Sequence, residues 1–237
     1  MSEKPIKLFA TMSERYPEAD DSDKAVMLTR SAIGAAPLGG MLLELLSPIL
    51  GPPVERRRLE WAKVLADVVE AIDKNVDELG NDEVFVSSVI RTSRIATSTH
   101  RAEKRRLLKN VLVKIGSGCT PDEDMLEIYF RLIEELTPSH IVVLHFLWMS
   151  ASKIAKVNNG QLPIGMSYGK VFQMLLPDLS QKQDLLHQIV QDLSQRRLIN
   201  AGAFGNDLFL QGFPVQMMTN HGGNFLNFVL SNEELHS

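Results

Sequence analysis

The strongest constraint on this fold lies in roughly the last hundred residues, where helix starts, helix stops and turn residues follow one another in a fixed order. Thr137-Pro138 opens a helix that carries Ile141, Val142, Leu144, His145, Leu147 and Trp148 and stops near Asn158-Asn159-Gly160. Ser167 caps a second, with Val171, Phe172 and Leu175, that stops at Pro177. Leu185, Leu186, Ile189, Val190 and Leu193 mark the inner side of a third, from about residue 182 to about residue 197. Leu198-Ile199, the glycines Gly202 and Gly205, Leu208-Phe209-Leu210 and Val215-Gln216-Met217 then read as a small β-ribbon, and a closing helix follows Thr219. Three helices, a ribbon and a closing helix make a winged-helix-like domain over residues 137–232, with a tail at 233–237.

Composition bounds what such a chain does. With 237 residues, 44% apolar and 23% charged, it has enough material for two compact units. A formal charge of −4 gives no general attraction to nucleic acid or anionic membranes, so any such contact needs a local patch. The lone Cys119 has no partner for an intrachain disulfide, and the polar, mixed-charge opening from Met1 to Tyr16 predicts no signal peptide; a cytoplasmic setting is expected, with membrane association as a variant.

That variant comes from residues 32–50. Between Arg30 and Glu55 the only charge is Glu44, and Arg56-Arg57-Arg58 follows at once. Glu44, Pro37, Pro48 and the Gly39-Gly40 pair cut the run into short pieces, which favours a buried helical hairpin over an interfacial element or a span. Leu42, Glu44 and Leu46 are its candidate membrane or interface residues.

From residue 22 to residue 136 the pattern is all-helical, after about twenty residues expected to be disordered. Leu59, Trp61, Leu65, Val68, Val69, Ile72, Val76 and Leu79 recur at threes and fours, predicting one long amphipathic helix ended by Gly80. Asn81 is the expected cap of the next helix, which runs towards Gly116-Ser117-Gly118, and a shorter helix begins near Pro121. The predicted fold class is mainly α: a helical bundle followed by a winged-helix-like domain with a small β-ribbon.

Two groups of polar residues are candidate binding sites. The stretch from Arg91 to Lys114 holds eight cations against the single acid Glu103. On an unbroken helix, about 100° per residue puts Arg91, Arg94, Arg101, Arg105 and Lys109 in one stripe, able to hold phosphate or lipid headgroups. The alternative is a solvated face paired with acids of the preceding helix, among them Asp67 and Glu70. On the third helix of the carboxy-terminal domain the outward side offers Asp184, His187, Gln188, Gln191, Asp192 and Gln195, with Arg196 and Arg197 at its end. Gln188, Gln191, Gln195, Arg196 and Arg197 are the candidate partner or DNA face. From Ser139 onward six Lys and Arg meet six Asp and Glu, so the domain lacks an electrostatic footprint for DNA and a protein partner or a second copy is expected.

No catalytic constellation, metal set or cofactor motif is predicted. Gly165-Met166-Ser167-Tyr168-Gly169 fits the nucleophile-elbow pattern in letters, but polar loop precedes it and the sheet it needs is missing from the pattern. His140 and His145 diverge by about 140° on a helix, a poor metal pair, and are expected to be one surface and one core residue.

Several short motifs, taken in order, resemble bacterial proteins of the abortive-infection alpha group. They are Glu44-Leu45-Leu46, Val54-Glu55-Arg56-Arg57-Arg58-Leu59-Glu60-Trp61, Leu136-Thr137-Pro138, Asp192-Leu193-Ser194-Gln195-Arg196-Arg197-Leu198-Ile199 and the 219–228 segment. The resemblance implies a helical domain with a winged-helix tail, a role in phage defence, and no agreed catalytic residues. Read so, the chain is a non-enzymatic regulator or effector. The alternatives are a DNA-binding transcriptional regulator and an effector that inserts residues 32–50 into a membrane.

Overall fold

The computed structural model describes residues 52–72, 74–148, 172, 176–200, 209–210, 213–214 and 217–236. The expected disordered start, the apolar run at 32–50 with Leu42, Glu44 and Leu46, and the elbow-like pentapeptide around Ser167 lie outside these residues. Among the described residues the protein is mainly helical, with ten helices, and none of them is long and apolar enough to cross a membrane. The chain divides into two units between Glu135 and Leu136.

The first unit contains α1 (Pro52–Ala71), α2 (Val76–Asn81), α3 (Glu83–Ser98), α4 (Ala102–Gly116) and α5 (Glu123–Glu135). Where one long helix is predicted through residue 79, there are two. Asn75 is the reason: its Oδ1 accepts the Glu78 N–H at 2.8 Å and caps α2, with Asp77 and Glu78 in the positive first turn. The apolar spacing of Ile72, Val76 and Leu79 runs through the break because periodicity does not report a change of axis. Gly80 sits inside α2, and Asp82, not Asn81, caps α3 by accepting the Phe85 N–H at 3.0 Å.

The helix expected to continue from there towards Gly116 is also divided. Thr97 and Ser98 turn their hydroxyls back onto the Ser93 and Ile95 carbonyls, each at 2.8 Å, and Thr99 leaves the helix with extended backbone. Such local side-chain bonds compete with helix continuation. α1, α3 and α4 pack on one another around the fully buried Trp61, with Leu65 and Val68, Phe85, Leu108, Leu112 and Ile115. Each large apolar side chain so buried is worth about 1.5–3 kcal/mol. The indole N–H of Trp61 donates to Ser93 Oγ at 2.9 Å, so the one polar atom of that ring is satisfied inside the core.

The second unit is built on α6 (Pro138–Trp148), in which Ile141, Val142, Val143, Leu144 and Phe146 are all buried. A helix apolar on every side has to be surrounded. α8 (Gln183–Gln195), which follows the short α7 (Pro177–Ser180), and α9 (Asn220–Val229) both pack against it. Pro177 opens α7 and does not merely end the preceding pattern. Phe146 meets Phe172 with ring centroids 4.4 Å apart. Both His140 and His145 are buried, against the expectation of one surface residue. Leu186, Ile189, Val190 and Leu193 of α8 are inward as predicted, whereas Leu185 is 42% exposed.

Between α8 and α9, Ile199 bridges Met218 in antiparallel fashion, flanked by hydrogen bonds from Asn200 N to Met217 O and from Thr219 N to Leu198 O. Phe209–Leu210 (β1) pairs with Phe213–Pro214 (β2) further along the same excursion. The stretch from residue 233 onward, expected to be a tail, lies in α10 (Asn232–His236) as far as residue 236. It is set by a capping box in which the Glu234 N–H donates to Ser231 Oγ at 3.3 Å and the Ser231 N–H donates to Glu234 Oε2 at 2.7 Å. Leu235 is buried beneath it.

α9 starts where Thr219 Oγ1 accepts the Gly222 N–H at 3.0 Å and donates to the Arg197 carbonyl at 2.7 Å. A Cβ on Gly222 would lie 2.1 Å from the Leu198 carbonyl oxygen, a backbone atom already held by Thr219 N. At Gly223 the nearest atom to an added Cβ is Trp148 Cζ3 at 2.9 Å, part of an exposed ring that can give. Gly222→Ala is therefore expected to lower unfolding free energy by about 3 kcal/mol, the upper end of overpacking costs. Gly223→Ala should cost clearly less, because alanine's helix propensity offsets part of the strain. Urea denaturation of the two variants measures the difference.

Candidate functional site

The cations read as one stripe do not form one. The break between Ser98 and Ala102 puts Arg91 and Arg94 on α3 and Arg105 and Lys109 on α4, with Arg101 as the capping residue between them. Arg105 is buried: its Nη2 donates to Glu60 Oε2 of α1 at 3.2 Å and its Nη1 to the Thr99 carbonyl at 3.3 Å. Lys109 Nζ meets Asp67 Oδ2, also on α1, at 2.9 Å. Arg91 reaches α5, where Nη1 lies 2.6 Å from Glu127 Oε2 and the guanidinium carbon sits 4.9 Å from the centre of the Phe130 ring. Three of the five predicted phosphate contacts are thus ties between helices. Arg94 and Arg101 remain exposed.

A fourth cation behaves the same way. Lys104 donates to the Glu134 carbonyl of α5, and burial holds its ammonium below the ordinary lysine value, with Glu134 opposing and the Arg101 charge adding to the shift. Asp67, and with it Glu60, lies on the helix that the alternative reading of the stripe expects to supply the acids, whereas Glu127 lies on α5, which that reading does not include. Nothing local in the sequence reveals them; Glu60 and Arg105 are 45 positions apart.

In the second unit the end of α6 and the outward side of α8 meet through one network. Thr137, at the cap of α6, donates its backbone N–H to His140 Nδ1 at 3.2 Å. A backbone N–H only donates, so Nδ1 is the acceptor, and the Thr137 hydroxyl, 2.8 Å away, can only donate to it as well. The ring proton then sits on Nε2, 3.2 Å from Asp192 Oδ2 on α8. Asp192, read as outward from sequence, is turned to a buried histidine of another helix. Gln188 Nε2 donates to Asp192 Oδ1 at 2.9 Å, and Arg196 Nη1 lies 3.9 Å from the same oxygen and donates to the Asp192 carbonyl at 3.2 Å.

The candidate partner face is therefore divided. Gln188 and Arg196 gather round Asp192, while Gln191 and Gln195 stay exposed on the same helix. Arg197 is exposed and carries a positive φ of 55°, closing α8 in the left-handed conformation that turns the chain into the Ile199 bridge. The surface that α8 presents combines the amides Gln191 and Gln195 and the exposed Leu185 with the exposed Asp184 and His187, while Asp192 and Arg196 are paired within the helix.

Sequence reasoning did not single out a hollow in this unit. About 300 Å³ in volume, it lies between the end of α6 and the exposed side of α9, lined among others by Trp148, Thr219, Asn220, Asn224 and Asn227, and none of the described residues that line it is ionisable. Nearby, burial holds His221 below the ordinary histidine value. Compared with family models, with curated proteins and with solved structures, the chain matches none.

Arg105→Ala is expected to cost about 1–3 kcal/mol of stability, since it removes a buried guanidinium and strands a hydrogen-bonded carboxylate and a partly buried carbonyl. Lys109→Ala should cost at most about 1 kcal/mol, because that ion pair is solvent-exposed and screened. Denaturant unfolding of the two single variants decides. Equal and negligible losses would mean that the cations are free for another ligand.

Proposed function

We propose that this chain is a non-enzymatic regulatory or effector protein that works by holding a protein partner through the outer face of α8. The observation that carries this reading is the contrast between cations and amides. Arg91, Arg105 and Lys109 are engaged with acids of neighbouring helices, and Arg196 is drawn to Asp192, whereas Gln191, Gln195 and Leu185 face solvent. Phosphate recognition needs mobile or convergent positive charge; protein contact is served by neutral hydrogen-bonding groups around an apolar residue.

We read the second unit as winged-helix-like with a β-ribbon. Support comes from the order α6, α8, the Ile199–Met218 bridge, the β1–β2 pairing and the closing α9. On that reading α8 occupies the position of a recognition helix, and the neutral amides on it favour a protein over a duplex as its target. Cytoplasmic action and a role in phage defence belong to the same proposal. The first rests on the composition of the chain, and the second on the motif resemblance described above.

The test is capture from the host lysate by full-length wild type and by a Gln191→Asp, Gln195→Asp double variant with an unchanged thermal melt. The reading predicts a discrete polypeptide, or a second copy of the chain, retained by wild type and lost by the variant. Nucleic acid retained equally by both proteins would overturn it.

A further inference from the structure

Trp148, 41% exposed, ends α6 with its ring against α9. The absence of a Cβ at Gly223 lets its benzo edge lie directly on α9, where an added Cβ would stand 2.9 Å from Cζ3. Beside it, Asn220, Asn224 and Asn227 follow one another at i, i+4 and i+7 along α9, all exposed and all lining the same hollow. At about 100° per residue, these positions fall within an arc of about 60°, so the three amides form a row. Among the described residues, the side-chain amides of Asn220 and Asn224 make no hydrogen bond to the protein.

The chemistry of this row selects its ligand. A carboxamide offers one acceptor and two donors, a set that pairs with the N–H and C=O of a peptide unit at the same time. Along the helix, Asn220 and Asn224 are separated by a rise of about 6 Å. An extended chain repeats the groups on one edge about every 6.7 Å. A helical segment has its backbone groups already paired internally and would leave the amides facing nothing. A phosphate or carboxylate would find no cation among the lining residues. The indole of Trp148 supplies a flat apolar wall for one side chain of the bound segment.

We infer that the hollow between Trp148 and the Asn220–Asn224–Asn227 row is a docking site for an extended, uncharged peptide segment of a partner protein, held by its backbone. The site lies on α9 and not on the outer face of α8, so it does not depend on the function proposed above.

The experiment pans a phage-displayed random decapeptide library on the full-length chain. The best peptide is then titrated as a synthetic compound while Trp148 is followed by acrylamide quenching; Trp61 is fully buried and stays silent. The inference predicts enrichment of uncharged, β-forming sequences and protection of Trp148 from quencher. It also predicts at least a tenfold loss of affinity in an Asn220→Ala, Asn224→Ala variant whose thermal melt is unchanged, and an equal loss when two backbone amides of the peptide are N-methylated. No enrichment would overturn it. So would enriched peptides that bind the double variant or the N-methylated form equally well, or protection of Trp148 by neutral oligosaccharides and not by peptides.

Discussion

The second unit depends on one close approach, that of Gly222 to the carbonyl of Leu198. That carbonyl accepts Thr219 N at 3.1 Å, and the Thr219 hydroxyl, 3.1 Å from the same oxygen, also accepts the Gly222 N–H. Only a residue without a Cβ lets the first turn of α9 come this near to the chain leaving α8. Once it does, Phe225, Leu226 and Val229 are pressed into the core around α6. The amides of α9 are left pointing out beside Trp148. The same short stretch thus fixes where α8 ends, where the Ile199–Met218 bridge closes and where the hollow on α9 opens.

Charge is used differently in the two units. In the first, cations of α3 and α4 reach acids of α1 and α5, and the most deeply buried of them, Arg105, spends both ends of its guanidinium on protein groups. Their arrangement follows from the helix break after Ser98, which turns the two halves of the expected stripe to different neighbours. In the second unit the ties of this sort among the described residues converge on Asp192, and the exposed surface around α8 and α9 carries amides and two large apolar side chains, Leu185 and Trp148, beside a few charges such as Asp184 and Arg197. Amide surfaces recognise neutral hydrogen-bonding partners, and their contacts depend little on ionic strength.

Much of this fold was legible in the sequence wherever a local rule sets it. The start of α6 at Thr137-Pro138, the inner side of α8 from Leu186 to Leu193 and the end of α4 at Gly116 follow from caps and apolar spacing. The missed breaks at residues 72–75 and 99–101 had weaker signals. Asn75 followed by Asp77 and Glu78, and the run Thr97-Ser98-Thr99, are helix punctuation that a continuing apolar rhythm overrode. The candidate sites were less legible still. Asp192 owes its orientation to His140, 52 positions away, and Arg105 to Glu60. Partners so distant leave no trace in spacing. The row on α9 could have been found from Asn220, Asn224 and Asn227, since their i, i+4, i+7 spacing is visible in the chain; its setting beside Trp148 could not.

We propose that neutral amides, not cations, form the recognition surface of this protein. The most direct measurement is fluorescence anisotropy of a labelled random-sequence DNA duplex, titrated with the full-length chain over a series of salt concentrations beginning near 50 mM. If the ties of Arg91, Arg105, Lys109 and Arg196 leave too little convergent positive charge to hold a duplex, no saturable binding appears even at the lowest salt. Saturable binding that falls steeply with salt, with a log–log slope corresponding to several neutralised phosphates, would contradict the claim.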